Sequence, residues 1–263
     1  MGAFWLFTPP IPEINMGTFK ISVYLLFTAF LITGCSSKHQ EQQAADQAAA
    51  DEFAKLAQTN KERVAEQIES GDGSVPESTD SIDEYVELVE KASENVSPEL
   101  AAQLKSQAAI LKEFKELADP YLAANNKFME LGGIDAATLA SIEDIDNRIA
   151  MIDELAAINE VIDVRYRELF MQITGSDTPE GARQLAMIKE IRQTDREAYP
   201  HMKQCLQIVK EHWETSGNAN DGLFYFGADV PSEDIAQYNQ HLKAIEAIGV
   251  KQQQIQRDYY NVP

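Results

Sequence analysis

Between Leu139 and Ile173 the apolar residues step by three and four: Leu139, Ile142, Ile145, Ile149, Ile152, Leu155, Ile158 or Asn159, Ile162, Tyr166, Leu169 and Ile173. That spacing follows the 3.6-residue turn of an α-helix for about ten turns, a rod of roughly 50 Å with an apolar stripe along one side. Such a rod cannot cover its own stripe. It constrains the chain to contain other helices of similar length.

The rest of the sequence supplies them. Ser97-Pro98-Glu99 is a helix start, with a capping serine and proline in the first turn. Leu100, Leu104, Leu111, Phe114, Leu117, Tyr121 and Phe128 follow at helical spacing up to Gly132-Gly133, and Pro120 is expected to kink or break that helix near Asp119. Thr178-Pro179-Glu180 opens another helix, with Leu185, Ile188, Tyr199, Met202, Leu206, Val209 and Trp213 inward, Pro200 bending it and Gly217 closing it. Ser232 caps a last one along Ile235, Tyr238, Leu242, Ile245, Ile248, Ile255 and Tyr259. A thinner stripe, Phe53, Leu56, Val64 and Ile68, precedes a Gly/Pro loop at 70–79, and a short helix carries Ile82, Tyr85, Val86 and Val89. The expected fold is all-α, an extended up-and-down helical bundle with coiled-coil-like packing. The sparse glycine and proline, 13 and 10 in 263 residues, agree with it.

Charge excludes some partners. With 22 Lys and Arg against 43 Asp and Glu, the formal charge is −21, which repels phosphate backbones, so no nucleic-acid partner is expected. The same field disfavours anionic headgroups, so membrane attachment would need a hydrophobic device.

Such a device stands at the N-terminus. In KISVYLLFTAFLITGC, Lys20 precedes an apolar stretch of about a dozen residues, short of the roughly 20 that span a bilayer and suited to a signal peptide. Leu31, Ile32, Thr33, Gly34 and Cys35 then resemble the lipobox of bacterial lipoproteins: an aliphatic residue three before the cysteine, small residues, then Cys. The resemblance implies cleavage between Gly34 and Cys35, diacylglycerol on the Cys35 thiol and acylation of the new amino terminus. Two or more acyl chains give stable anchoring where one is marginal. In the Gram-negative members of the family a serine after the cysteine, here Ser36, is compatible with transfer to the outer membrane. The implied location is the cell envelope, on the periplasmic face of that membrane. The first fifteen residues carry Glu13 and no Lys or Arg, so translation is expected to begin at Met16; the competing reading is an unusually long n-region.

The expected organisation is a signal peptide over 1–34 with a non-native extension at 1–15, a lipid-anchored tether and peripheral helix over 35–80, and the bundle over 81–263. Within the bundle the candidate chemistry is thin. His201, Cys205 and His212 fall on one helix face, but no H-E-x-x-H, C-x-x-C or Glu-x-x-His accompanies them, so no metal or cofactor is assigned. Cys205 reads as a buried small apolar residue. Asn218, Asn220, Asp221 and Gly222 lack calcium-loop spacing and read as a turn. Arg192 and Asp195 lie on or near the inward seam, where a buried ion pair is more often a register device than a catalytic couple. No catalytic residue is assigned.

Leu223, Phe224, Tyr225 and Phe226 are four consecutive large apolar residues in a loop. They are expected to fold back over the bundle end; left exposed, they would be a partner contact. The functional expectation is a non-enzymatic, lipid-anchored bundle that binds another envelope component, a protein partner, through its helical faces or this loop. The alternative is a small-molecule or metal-handling carrier or enzyme using the bundle core.

Overall fold

A computed structural model describes residues 40–70, 80–174, 179–218 and 223–260; Gly34 and Cys35 lie outside them, as do the side chains of Val64, Ile68 and Ile173. The described fold is all-α. Six helices follow one another as α1 (Gln40–Ser70), α2 (Asp80–Ser93), α3 (Pro98–Glu130), α4 (Ile142–Thr174), α5 (Pro179–Glu211) and α6 (Ser232–Tyr260), with 3-10 turns at Ala136–Thr138 and Trp213–Thr215. A two-residue antiparallel pair, β1 (Gly217–Asn218) and β2 (Phe224–Tyr225), sits in the connection between α5 and α6.

Each helix from α3 onward packs antiparallel on its predecessor, as cross-helix partners show. Glu113 meets Arg165 between α3 and α4, Lys203 and Lys210 meet Asp153 and Asp146 between α5 and α4, and His201 meets His241 between α5 and α6. The two lysine pairs are heptad-spaced surface contacts, individually worth under about 1 kcal/mol but informative about direction and register. α1 lies against both α2 and α6. The Gln/Ala-rich run read as part of a tether is helical from Gln40 and packed from Asp46: Asp46 Oδ1 accepts the Ser97 backbone N–H at 2.8 Å, and the Phe53 and Tyr85 rings lie 5.2 Å apart.

The stripes become the core with one change of register. In α4 the buried positions are Ile145, Arg148, Ile152, Leu155, Asn159, Ile162, Tyr166 and Leu169, alternating steps of three and four, while Ile149 and Ile158 are half-buried and Ile142 is exposed. The seam therefore runs through Asn159 rather than Ile158, and it includes a buried arginine. α6 repeats the pattern with Tyr238, Ile245, Ile248, Gln252 and Tyr259.

Neither internal proline breaks its helix. α3 runs through Pro120 and α5 through Pro200, both solvent-exposed, where a bulky ring and a missing N–H are easier to accommodate than in the core. α3 ends at Gly132 and Gly133, with φ of 92° and 59°, and Gly133 N donates back to Phe128 O at 2.9 Å. A Cβ on Gly132 would meet Thr138 Oγ1 at 2.2 Å, so glycine is required there.

Candidate functional site

Antiparallel order gives the bundle two chemically different ends. One holds the start of α1, the α2–α3 connection and the C-terminal end of α6. The other holds the α3–α4 connection and the segment between α5 and α6. The 33 residues of α4 separate them by about 50 Å.

At the second end the Leu223–Phe226 segment folds back, as expected, through its pairing with Gly217–Asn218. Phe224 is buried, and Leu223, Tyr225 and Phe226 are half-buried, so the four do not form one exposed patch. The Phe226 ring meets Phe224 and Tyr238 edge-on at 5.2 Å each, and His212 at 6.4 Å. His212 Nε2 hydrogen-bonds Asp234 Oδ2 at 2.9 Å and so ties the end of α5 to the start of α6. Gly227 completes the brace, because a Cβ there would lie 1.8 Å from Thr215 O. Asp135 of the α3–α4 connection is near enough to Tyr238 to disfavour ionisation of its hydroxyl, after burial and Cys205. Leu131 and Ile142 are exposed on that end, among Glu130, Glu143, Glu214, Asp229 and Glu233, all exposed as well.

His201, Cys205 and His212 do not converge. The His201 and His241 Nδ1 atoms share a hydrogen bond at 2.8 Å, in which one ring donates and the other accepts. Burial and then His201 lower the His241 pKa. Cys205 is fully buried, its Sγ 3.9 Å from Tyr238 O, and burial pushes its thiol up to about 12. Among the described residues no group of three or more His, Cys, Asp or Glu is placed to hold a metal ion.

The other notable constellation is closed inside the bundle. Arg192 and Asp195 are both buried, with Arg192 Nη1 3.9 Å from Asp195 Oδ2. Arg192 Nη1 donates to Asn159 Oδ1 at 2.6 Å, and its guanidinium lies 5.8 Å from the centre of the Tyr121 ring. The Tyr121 and Tyr199 hydroxyls are 3.1 Å apart. Gln252 Nε2 donates to Asp195 Oδ1 at 2.7 Å. One polar layer thus draws on α3, α4, α5 and α6. Asn159 and Gln252 were not singled out in the sequence as site residues, although both occupy heptad core positions, where a polar residue is a recognisable signal.

These features define an all-α bundle with a braced hairpin at one end and a polar layer in its middle. No family model, curated protein or solved structure matches the chain.

Proposed function

We propose that this chain is a lipid-anchored envelope protein whose acidic bundle binds another envelope component at the end remote from its anchor. The observation that carries the reading is the direction of α1, set by Asp46 at Ser97 and Phe53 at Tyr85. It puts Gln40 at the end opposite the hairpin. Cys35 lies five residues before Gln40, at most about 18 Å of extended chain, so a lipid on Cys35 would hold that end near the membrane. The Leu223–Phe226 hairpin and the Leu131–Ile142 connection would then project some 50 Å from it. No helix of the described residues is long and apolar enough to cross a membrane.

Half-buried aromatic and exposed aliphatic side chains rimmed by carboxylates suit a protein partner that presents apolar residues flanked by Lys or Arg. Ser36 supports the periplasmic face of the outer membrane as the location, by the lipoprotein resemblance alone.

The test pairs intact mass and membrane fractionation of the wild-type chain and Cys35→Ala with photo-crosslinking from position 225 and, as control, position 99. The expected result is an acylated species starting at Cys35, lost from membranes in the variant, with crosslinks from 225 and not from 99. A soluble unlipidated wild type, or crosslinks from 99 alone, would overturn the reading.

A further inference from the structure

We propose that Asp195 carries a proton in the folded protein, and that Asp195 with Gln252 forms a proton-closed latch between α5 and α6, held by two hydrogen bonds when Asp195 is protonated and by one when it is ionised.

The geometry points there before any titration is considered. Both side chains are buried, and one hydrogen bond joins them, Gln252 Nε2 to Asp195 Oδ1. The other oxygens of the same two groups, Asp195 Oδ2 and Gln252 Oε1, have no hydrogen-bond partner in the protein. In the ionised state both are acceptors only, sealed from water, an arrangement that costs free energy for each. Turning the Gln252 amide over would set Oε1 against Oδ1 and lose the one bond, so it offers the ionised pair no relief. A proton on Oδ2 converts one acceptor into a donor. A carboxylic acid and a primary amide already joined at one corner can then close the second bond, Oδ2–H to Oε1, as a cyclic pair.

The surrounding groups do not undo this. From α3 and α5 Asp195 faces the Tyr121 and Tyr199 phenols, which burial keeps neutral; from α4 it faces the region of the Asn159 amide. On its own helix Arg192 and Arg196 favour the carboxylate. Yet Arg192 is hydrogen-bonded to Asn159 and reaches Asp195 only at 3.9 Å, and Arg196 is paired with Asp163. Glu197, the nearest carboxylate along α5, is exposed and paired with Lys251 of α6. Desolvation outweighs the arginines and the Gln252 hydrogen bond, and the Asp195 carboxyl is pushed up to about 7. The latch therefore works near neutral pH. It grips the C-terminal half of α6, the helix whose Asp234 and Tyr238 brace the hairpin.

The test is a carboxyl-carbon NMR titration of the full chain labelled at aspartate, from pH 5 to 9, with hydrogen exchange of the α6 amides around Gln252. One aspartate is expected to titrate within about a unit of 7, and its signal to vanish in Asp195→Asn, whose amide reproduces the closed pair. The wild-type to Asp195→Asn exchange ratio around Gln252 should approach one near pH 4 and rise with pH, reaching at least roughly fivefold to tenfold at pH 8.5, the weight of about one hydrogen bond. Gln252→Leu takes two bonds from the protonated state and one from the ionised state, so the same signal should move to lower pH if the pair closes, whereas a move to higher pH would mean that Gln252 only donates to the carboxylate and would overturn the latch; this keeps the test decisive if Asp195→Asn does not fold. Aspartates that all titrate below pH 5, or a wild-type to variant exchange ratio that does not change with pH, would overturn the latch.

Discussion

Arg148 donates to both oxygens of Thr138, ten residues earlier: Nη1 to the hydroxyl at 2.8 Å and Nη2 to the carbonyl at 3.0 Å. Nη1 also donates to Gly133 O, and Nε and Nη2 to Asp144. A single guanidinium thus fixes the path between α3 and α4. Replacing it with methionine should cost about 2–4 kcal/mol in urea denaturation, since buried carbonyls lose their donors. Arg148→Lys should recover less than half, because an ammonium cannot reproduce the planar fork. Full recovery by lysine would show that charge alone matters at this site.

Gly227 tests the hairpin separately from the core. Gly227→Ala places a methyl against Thr215 O, so β2 must move away from the 213–215 turn. We expect a loss of about 1–3 kcal/mol with helical content unchanged, and a weakened near-ultraviolet signal from Phe226 and its aromatic neighbours. Unchanged near-ultraviolet dichroism would count against the brace.

The acid–base prediction follows from Asp195. Its folded pKa, about 7, lies above the unfolded value, so between pH 4 and 7 the unfolded chain releases this proton first and stability falls as pH rises. Below pH 4 the group has no effect, and above 7 the loss is complete. Asp195→Asn should therefore match the wild type near pH 4 and exceed it by up to about 4 kcal/mol above pH 7. A constant difference across that range would contradict the assignment.

Cys205 should be inert while the chain is folded, because its thiol is buried and its pKa is about 12. Labelling by a thiol reagent at pH 8 should follow the unfolding rate and become immediate in denaturant. Fast labelling of the folded chain would indicate an opening of the α5–α6 seam.

Much of the fold was legible in the sequence because helical periodicity is a local property. Leu139 to Leu169 announced α4, Ser97-Pro98 announced the start of α3, and Gly132-Gly133 announced its end. Pro120 and Pro200 stand inside unbroken helices, because an exposed turn of a long packed helix tolerates what an isolated turn would not. Alanine and glutamine in the run from Gln40 look featureless in the sequence, and only packing shows that Asp46, Ala49 and Phe53 find a surface to bury against.

By itself the sequence determined that this chain builds long amphipathic helices that must pack together, and that its Leu31–Cys35 segment resembles a lipidation signal. Only the tertiary structure decided which polar residues meet. His201 shares a helix face with Cys205 and His212, and its hydrogen-bond partner is His241 of α6; Asp195 pairs with Gln252, 57 residues away. The physical reason is that spacing along a helix states which side a residue occupies, whereas the identity of its partner depends on the register and direction of a second helix. That choice is made by the packing of all the stripes at once.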